Sequence, residues 1–415
     1  MIDIKVVREE PKLVKKSVKE RGYDIDVDKI LKLDEDWRKI KYKEDALRKK
    51  RNDISKKINE LKKAGKSAKK EIADAKKIPE QVEKLEVKRK KLEKEIFDLM
   101  AGIPNFQDKS VPIGDESKNK ELSKEGKIPK FSFPVKNHVE LLKGLDMKRG
   151  AKLAGSGFYL LKGDLARLQR ALINFMLDFH NKNGFVEVNV PQLVNAQTLF
   201  GTGNLPKFEE DLYKTREGMY LIPTAEAPVT NLYAGETLKE KELPKKNVAF
   251  TQCYRTESGR RAGEEGLFRV HEFEKVEMVY VCKPEDSWDL LEEMTLYSEK
   301  LLQLLGLPYR KIILASEDAS FASAKTYDLE VWSPARKKYL EAASCSNCTD
   351  FQARRMNLRY QSKQGLRFVH TLNGSGLALT RLMISLVENN QNKDGSINIP
   401  KVLQSYMNGM KKITC

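Results

Sequence analysis

Apolar residues recur every seven positions in two runs near the beginning of the chain. The first run is Leu33, Ile40, Leu47, Ile54 and Leu61, and the second, beyond a turn at Gly65, is Ile78, Leu85, Leu92 and Leu99. Two such runs joined by a short turn predict an antiparallel α-helical coiled-coil hairpin over about residues 30–100. At 1.5 Å per residue, roughly 35 residues in each arm form a rod about 50 Å long.

A second series lies beside the first, so that the predicted seam has two columns. It contains Ile30, Trp37, Ile58, Ala75, Val82 and Ile96, and it is interrupted by Glu44, Arg51 and Arg89. Pro79 should either kink the second helix or mark its true beginning, because proline lacks an amide proton and clashes with the preceding turn. This number of apolar residues can seal a hairpin but cannot form a globular core, so a separate domain must exist.

The predicted hairpin carries most of the excess positive charge. The chain of 415 residues has a net charge of +17, and residues 39–95 alone contain 22 basic and 11 acidic side chains. Such an excess suits a nucleic acid, an anionic membrane surface or another polyanion as partner. A solvated helix face explains the same charge, and the charge alone does not separate these alternatives.

The composition argues against a membrane protein and against a disulfide-rich secreted protein. Hydrophobic residues make up 40% and charged residues 33% of the chain, and no run of 18 apolar residues exists. Residues 1–10 lack the apolar core of a signal peptide, so we expect a soluble, cytoplasmic protein without a membrane segment. The five cysteines are an odd and sparse set, which indicates reduced thiols.

The sequence pattern changes beyond the hairpin. Residues 103–133 are rich in Gly, Pro, Asn, Asp and Ser and are predicted to link an N-terminal domain, 1–102, to a C-terminal domain, 134–415. Helices are predicted at 165–181, 287–305 and 377–389. Short strands are predicted at 185–190, 248–251, 273–281, 312–315, 328–331 and 338–342. Because few strands alternate with helices, we expect an antiparallel α+β domain.

Three common nucleotide and metal signatures are absent. The GKS at 65–67 resembles the end of a P-loop, but Glu60 stands where the loop needs glycine and the flanking pattern is helical. No GxGxxG follows a predicted strand, which argues against a Rossmann cofactor site. Cys345 and Cys348 form a single CxxC pair without two further ligands for a tetrahedral site, so we expect no zinc.

One charged segment is predicted to form a hairpin suited to a nucleotide. Arg255 ends a predicted strand, a charged loop follows, and the returning strand carries Arg269, Phe273 and Glu277. Two arginines can hold phosphate oxygens in bidentate geometry, an aromatic ring can stack on a base, and a carboxylate can accept from an ammonium or hydroxyl group. A surface hairpin with ordinary ion pairs explains the same residues, so both interpretations stay open at this point.

Three further segments are compatible with nucleotide chemistry. The glycine-rich segment 374–376 precedes a predicted helix that carries Arg381, so the backbone could approach a ligand and a third arginine could reach its phosphates. The segments 224–226 and 341–344 each carry a carboxylate, and carboxylates near a triphosphate normally bind a divalent metal. Taken alone, these last two segments are predicted as ordinary loops.

The chain as a whole resembles the seryl-tRNA synthetase family, which belongs to the class II aminoacyl-tRNA synthetases. The resemblance covers the basic hairpin and three class II motifs in order, namely the helix from Leu165 with the strand through 185–191, the hairpin at Arg255, and the glycine-rich turn with Arg381. The strings that carry it are GTGNLPKF, TAEAPVTNLY, FRVHEFEKVE, EAASCSNC and HTLNGSGLA. The implied α+β fold is an antiparallel-sheet class II catalytic domain that follows an N-terminal tRNA-binding hairpin.

The resemblance implies an ATP site. The implied ATP set is Arg255, Thr256, Glu257, Arg269, Val270, Phe273, Glu341, Ala342, Ala343, Ser344 and Arg381. Arg255 would bind the α-phosphate, Glu257 would contact the adenine side, and Arg381 would hold the γ-phosphate of a bent ATP. These three are the implied catalytic residues. Phe273 would stack on adenine, and Val270 would contact ATP through its backbone.

A serine pocket and a metal site are implied beside the ATP site. The implied serine-binding residues are Thr224, Ala225, Glu226, Glu277 and Ser375. Glu341 and Ser344 would coordinate Mg²⁺ near the phosphates. The chain departs from the family pattern in two places, because the loop at 258–265 looks one residue shorter and because Ala342 and Ala343 stand where a hydroxyl residue is common.

The implied partners are L-serine and tRNA(Ser), with selenocysteine tRNA as a further substrate. A homodimer is also implied, since the motif 1 helix resembles the class II dimer interface and Phe175, Leu177 and Phe179 supply apolar surface there. The implied reaction is ATP-dependent attachment of serine to tRNA in two steps through seryl-adenylate.

Two alternatives are weighed against this reaction. One is a class II-like ligase that loads a carrier protein, for which the basic hairpin has no use. The other is a non-catalytic coiled-coil RNA-binding protein, which leaves Arg255, Arg269 and Arg381 unexplained.

Overall fold

A computed structural model of the chain describes residues 1–257 and 266–414. It divides into two compact units, one formed by Ile2–Pro104 and the other by Met1 together with the chain from Asn105 onward. The predicted domain boundary after residue 102 therefore lies two residues from this division. The shortened loop at 258–265 lies outside the described residues.

Helices make up the first unit. They are α1 (Ile4–Glu9), α2 (Pro11–Glu20), α3 (Val27–Lys63) and α4 (Lys69–Ala101). The Asp3 side chain accepts a hydrogen bond from the Lys5 amide at the start of α1, and Asp26 accepts one from the Lys29 amide at the start of α3. Pro11 occupies the first turn of α2. These residue types are the ones favoured at helix N-termini, so local sequence explains where the helices begin.

The two predicted arms are present and run antiparallel. With 37 residues, α3 is about 55 Å long. The turn between α3 and α4 contains Gly65 at φ +68°, a left-handed conformation that favours glycine. Most heptad side chains are half-buried, whereas Ile30 and Ile78 are fully covered. Pro79 lies inside α4, so the alternative that this proline marks the beginning of the helix is wrong.

The second unit combines helices with an extended sheet. Its helices are α5 (His138–Leu141), α6 (Met147–Ala154), α7 (Asp164–Lys182), α8 (Ala196–Thr202), α9 (Glu226–Thr230), α10 (Ser287–Leu304), α11 (Phe351–Met356) and α12 (Leu379–Asn389). The strands up to the middle of the unit are β1 (Lys120–Glu125), β2 (Val186–Glu187), β3 (Leu193–Val194), β4 (Tyr220–Leu221), β5 (Thr237–Lys239), β6 (Lys245–Tyr254) and β7 (Glu272–Cys282). The later strands are β8 (Tyr309–Ile313), β9 (Lys325–Ser333), β10 (Lys338–Asn347), β11 (Arg359–Ser362), β12 (Gly365–Phe368), β13 (His370–Ala378), β14 (Ile397–Asn398) and β15 (Lys412–Ile413).

The main sheet has eight strands in the order β1-β8-β9-β10-β13-β7-β6-β2. Neighbouring strands pair antiparallel except at one edge, where β2 runs parallel to β6. Helices α7, α10 and α12 pack against this sheet and share a hydrophobic core with it. The predicted antiparallel α+β architecture is therefore confirmed, with one parallel edge strand that the sequence pattern did not indicate.

The segment 103–133 is more than a linker. It contains β1, which pairs antiparallel with β8 from Lys120 opposite Ile313 to Glu125 opposite Tyr309. Earlier in the segment, the amide of Asn105 donates to the carbonyl of Phe321. The prediction missed the strand because its sequence, KELSKE, has a single apolar residue and lies at the sheet edge, where one strand face needs no apolar side chains.

The glycine-rich segment is also not a turn, since residues 374–376 lie within β13. A Cβ added to Gly374 would lie 2.6 Å from Sδ of Met294, and one added to Gly376 would lie 2.7 Å from Nε2 of His180. The glycines are thus required by the close packing of α10 and α7 against the strand. The segment 341–344, predicted as a loop, is likewise part of a strand, β10.

The motif 1 region differs from its prediction in two respects. Only Val186–Glu187 forms ladder pairs in the predicted strand at 185–190. Phe175 of α7 is buried within the chain itself, while Leu177 and Phe179 are half-buried against the same core. Phe175 therefore supplies no free apolar surface for a second subunit.

Candidate active site

A cavity of about 270 Å³ lies among the strands of the main sheet and the beginning of α12. Most of the predicted site residues line it, namely Thr224, Glu226, Arg255, Glu257, Arg269, Val270, Phe273, Glu341, Ala342, Ser344, Ser375 and Arg381. Four others, Thr256, Ala225, Ala343 and Glu277, do not line it. The structure thus brings together residues that are as much as 157 positions apart in the sequence, from Thr224 to Arg381.

The strand pair β6–β7 positions the first arginine. Arg255 directly follows β6, and its amide donates to the carbonyl of His271 over 2.9 Å just before β7 begins. Its Nε donates to the carbonyl of Pro223 over 3.3 Å. The guanidinium carbon lies 5.0 Å from the ring centre of Phe273. These contacts hold Arg255 and Phe273 as one wall of the cavity, with a cation and an aromatic face available to a ligand.

Two predicted ATP residues next to Arg255 have different positions. Thr256 is held outside the cavity, because its amide and hydroxyl donate to the carbonyls of Asp211 and Glu210 at 3.1 Å and 2.9 Å. Glu257 has φ +49° and turns toward the cavity, where its carboxylate lies 3.4 Å from Nε of Arg269. The left-handed backbone at Glu257 is unusual for a residue other than glycine and is compatible with a site-forming role.

The cavity lining also contains an ion pair between two predicted ligand-binding residues. Nη1 of Arg381 lies 2.5 Å from Oε2 of Glu341. Partial loss of water around the carboxyl opposes ionisation of Glu341, but the Arg381 guanidinium outweighs this effect and lowers the pKa of the carboxyl. The guanidinium of Arg381 also lies 5.6 Å from the ring centre of Phe268. The third cavity arginine is therefore already oriented, with an anionic side chain beside it.

Irregularities in two strands direct side chains into the cavity. The β9–β10 register shifts between Glu341 and Ala343, so that Ala342 has no partner. The β7–β13 register shifts between Ser375 and Ala378, where Leu377 has φ +85°. Such bulges bend a strand and redirect its side chains, and they are common beside active sites. No heptad or alternation pattern in the sequence signals them.

The two residues expected to hold a metal ion, Glu341 and Ser344, both lie on β10. The side chain of Glu341 is 47% exposed on the cavity wall, which Ser344 also lines. Asp328 faces Ser344 in the strand register, is buried, and has an Oδ1 atom without a hydrogen-bond partner. Burial and the neighbouring Glu341 carboxylate raise the pKa of Asp328. These oxygen donors suit a hard divalent cation such as Mg²⁺.

No group of three or more His, Cys, Asp or Glu side chains among the described residues is arranged to hold a metal ion. Cys345 and Cys348 are both buried. Burial raises the pKa of the Cys345 thiol to about 12, which disfavours the thiolate that zinc needs.

One part of the cavity, where a serine substrate is predicted to bind, is built around Glu226. Oε1 of Glu226 accepts a hydrogen bond from Gln352 over 2.8 Å, and the Thr371 hydroxyl donates to Oε1 of Gln352 over 2.7 Å. Burial, followed by the charge of Glu277, raises the pKa of Glu226 to about 7. Oγ1 of Thr224 accepts from the Glu226 amide over 3.1 Å. Burial disfavours the charged form of this carboxylate, and an ammonium group that binds beside it would favour that form again.

Glu277 lies directly behind the cavity and has a cationic partner. Oε2 of this fully buried carboxylate is 2.5 Å from Nζ of Lys275, and Oε1 accepts from the Asn373 amide group over 3.3 Å. Both Lys275 and Asn373 line the cavity. Glu277 is therefore not part of the cavity wall. It contacts two side chains that are, Lys275 and Asn373.

Sequence reasoning missed several cavity residues. They are Phe268, Lys275, Ser320, Ser346, Asn373, Ala378 and Thr380. Lys275 could have been found, because it lies two residues from both Phe273 and Glu277 on one strand and therefore shares their face of the sheet. Ser320 could not, since it reaches the cavity from a loop that carries no motif.

Comparison with known proteins agrees with this arrangement. Residues 1–107 match the description "Seryl-tRNA synthetase N-terminal domain", and residues 207–390 match "tRNA synthetase class II core domain (G, H, P, S and T)". The serine–tRNA ligases of Fervidobacterium nodosum and Thermotoga neapolitana are 48% and 49% identical to the chain, each over 98% of both sequences. The chain belongs to the seryl-tRNA synthetase family.

Solved structures of the family share the fold over the whole chain. The crystal structure of seryl-tRNA synthetase from Pyrococcus horikoshii complexed with ATP has a TM-score of 0.93 and 37% identity, and it covers 100% of this chain and 99% of its own. The cytoplasmic serine–tRNA ligase from Naegleria fowleri in complex with AMP has a TM-score of 0.89 and 32% identity, with the same coverage. The second unit is thus a class II synthetase core. None of the helices formed by the described residues is both long and apolar enough to cross a membrane.

Proposed function

We propose that this member of the seryl-tRNA synthetase family uses ATP to attach L-serine to tRNA(Ser), and to selenocysteine tRNA as a second acceptor. The observation that carries the proposal is the single cavity in which Arg255, Arg269 and Arg381 lie beside Glu226. Three arginines suit a triphosphate, and a carboxylate with a raised pKa suits an ammonium group. Identity of 48% to a serine–tRNA ligase over 98% of the chain supports the choice of amino acid.

In the proposed ATP complex, Arg255 binds the α-phosphate and Arg381 the γ-phosphate, while adenine stacks on Phe273. Glu257 contacts the adenine side, and Val270 offers its backbone. Three other residues of the implied ATP set make no polar side-chain contact with ATP in this proposal. Thr256 is held outside the cavity by its hydrogen bonds, and Ala342 and Ala343 carry only a methyl group.

In the proposed serine complex, the substrate ammonium group lies between Thr224 and Glu226, and Ser375 contacts the substrate hydroxyl. Glu277 stabilises the ammonium group from behind the wall through its charge. A site whose hydrogen-bonding groups are built for a hydroxyl rejects alanine strongly, because those groups would be left without partners.

The proposed reaction has two steps and no covalent enzyme intermediate. The serine carboxylate attacks the α-phosphorus of ATP, the bond to the β-phosphate oxygen breaks, and pyrophosphate leaves seryl-adenylate behind. A ribose hydroxyl at the 3′ end of tRNA then attacks the seryl carbonyl and releases AMP. Arg255 is oriented toward charge that develops at the α-phosphate, and preorganised cations of this kind lower the barrier.

We propose that Mg²⁺ is held by Glu341 and Ser344. The exposed Glu341 carboxylate and the Asp328 oxygen without a partner beside Ser344 support this site. When bound, the ion would neutralise phosphate charge. Glu341 would share its carboxylate between the ion and Arg381, to which it is already paired.

The proposal includes a homodimer and a cytoplasmic location, where translation takes place. Strand β2 lies at the edge of the main sheet with Val186 61% exposed, and such an edge can pair with a second copy. Light scattering at micromolar concentration tests this part, since a monomer would contradict it.

The test of the reaction is ATP–pyrophosphate exchange with each amino acid alone, followed by tRNA charging. We expect exchange with serine only and charging of tRNA(Ser). Exchange without charging would favour a ligase that loads a carrier protein. The absence of exchange with every amino acid would favour the non-catalytic RNA-binding alternative.

A further inference from the structure

A histidine from a distant part of the chain holds the segment that leads into the cavity wall. The amide of Leu267 donates to Nε2 of His138 over 3.1 Å. Phe268, Arg269 and Val270, which directly follow Leu267, all line the cavity. His138 is the first residue of α5 and is only 2% exposed. This bond therefore ties one end of the cavity wall to the protein interior.

His138 is itself held by Glu388, which lies near the end of α12. The amide of His138 donates to Oε1 of Glu388 over 3.1 Å, and Nδ1 of the ring lies 3.5 Å from the same oxygen. The other carboxylate oxygen accepts from the Ser333 hydroxyl and from the Ala335 amide. Glu388 is fully buried. Since α12 also carries Arg381, one buried pair connects two walls of the cavity.

The hydrogen bond from Leu267 defines which nitrogen of the His138 ring carries a proton. Because the Leu267 amide is a donor, Nε2 of His138 must be the nitrogen without a proton, so Nδ1 of the neutral ring carries the proton and faces Glu388. Phenylalanine would retain the ring volume and lose the acceptor. Glutamine would retain an acceptor, since its amide oxygen can occupy about the position of Nε2.

The backbone next to Leu267 leaves no space between itself and the histidine. A Cβ added to Gly266 would lie 2.2 Å from Nε2 of His138 and 2.7 Å from Cγ2 of Val139. Gly266 also has a backbone φ of +67°, which residues with a side chain rarely adopt. An alanine at this position would therefore push residues 266–267 away from His138 without touching the cavity.

We propose that His138 is a positioning residue for ATP. By accepting the Leu267 amide it sets where Arg269 and Val270 face the cavity, and so it determines affinity for ATP and not for serine. Thr224 and Glu226 are positioned by other contacts, among them the bond from Gln352. This proposal rests on the proposed function, in which residues 269 and 270 contact ATP.

The experiment measures the KM for ATP and for serine in pyrophosphate exchange, with the Kd of ATP from calorimetry, on the full-length protein. His138→Phe should raise the KM and Kd for ATP about tenfold, while the KM for serine changes less than about twofold. His138→Gln should restore most of the ATP affinity. His370→Phe is the matched control, because it removes a bond of 2.8 Å to Ser287 outside the cavity, and it should leave both KM values unchanged.

A second pair of variants reaches the same contact from the opposite side. Gly266→Ala should reproduce the selective loss of ATP affinity, whereas Gly306→Ala should not, since Gly306 has a similar φ of +70° and no atom within 4 Å of an added Cβ. If His138→Phe does not fold, the two glycine variants test the proposal by themselves. An unchanged KM for ATP, or a parallel rise for both substrates, overturns the proposal. Absence of serine-dependent exchange in the wild-type protein would instead refute the proposed function.

Discussion

Nε of Arg89 in α4 donates to Oε2 of Glu44 in α3 over 2.8 Å, in the middle of the hairpin seam. Glu44 is buried, and Arg48 donates to its other oxygen over 2.8 Å. Apolar heptad residues can pair in more than one register, but this carboxylate is satisfied in only one. We infer that the charged interruption of the seam specifies how the two arms align.

Glu44→Ala should therefore weaken the hairpin. It leaves the half-buried Arg89 guanidinium without its buried partner, and we expect a loss of about 1–3 kcal/mol in the opening free energy of the hairpin. Hydrogen exchange of amides in α3 and α4 measures this quantity. The control is Glu80→Gln, which breaks an exposed pair with Lys84 and should leave the opening free energy almost unchanged, because water screens an exposed pair. Equal losses in both variants would contradict the assignment.

The same pair should make the hairpin sensitive to acid. Burial opposes ionisation of Glu44, yet the hydrogen bonds from Arg89 and Arg48 prevail and lower its pKa. A lowered pKa stabilises the folded state above the unfolded value of about 4.3, and this contribution is lost as the pH falls through the folded pKa. Protection against exchange should therefore decrease as the pH falls below about 4.3 in the wild type, and it should decrease less in Glu44→Ala.

Arg255→Ala should abolish adenylate formation without unfolding the protein. Removal of one preorganised group that faces developing charge typically costs about 10²- to 10³-fold in rate. Pyrophosphate exchange measures the loss, and Arg367→Ala, which removes an exposed partner of Glu285, is the control. Exchange near the wild-type rate in Arg255→Ala would refute the assignment of Arg255 to the α-phosphate of ATP.

Serine binding should weaken on the acid side of neutrality. The pKa of Glu226 is raised to about 7 by burial and by Glu277, so the free enzyme protonates there as the pH falls from 8 to 6. A protonated Glu226 does not attract the substrate ammonium group, and kcat/KM for serine should fall with it. The pH profile should flatten in Glu226→Gln, and an unchanged profile in that variant would exclude Glu226 as the titrating group.

Lys275→Met should disturb the serine pocket selectively. Lys275 is the cationic partner of the fully buried Glu277, and a buried carboxylate without its partner is strongly disfavoured. We expect the KM for serine to rise about tenfold or more, with a smaller change for ATP. The control is Lys246→Met, because Lys246 pairs with Glu293 and does not line the cavity. An equal rise of the KM for serine in both variants would show that the effect is not specific to Lys275.

Deletion of residues 38–97, bridged by a short Gly/Ser linker, should separate the two halves of the reaction. The deleted segment carries the net excess of basic residues on a hairpin without a globular core. Serine-dependent exchange should persist, whereas the KM for tRNA should rise and lose its steep salt dependence. Both assays are performed on one preparation. Charging as efficient as that of the intact protein would show that the hairpin has another role.

Most residues that line the cavity could be predicted from the sequence, but their contacts could not. Arg255 and Arg381 lie in short segments whose residue types suit a nucleotide, whereas the segment of Glu226 taken alone predicts an ordinary loop and only the family resemblance implies its role. The partner of each comes from elsewhere in the chain, as Gln352 does for Glu226. Such pairs depend on strand order and register, which alternation within one strand does not encode.

The sequence by itself determined the long helices, because a repeat of apolar residues places them on one face whatever surrounds the helix. It also determined the identity of the motif residues. Only the tertiary structure decided that the polar segment with β1 joins the main sheet, that bulges direct Glu341 and Ser375 into the cavity, and that His138 holds Leu267. The physical reason is that periodicity reports a local surface, whereas sheet edges, bulges and buried hydrogen bonds arise from residues that meet only after the chain has folded.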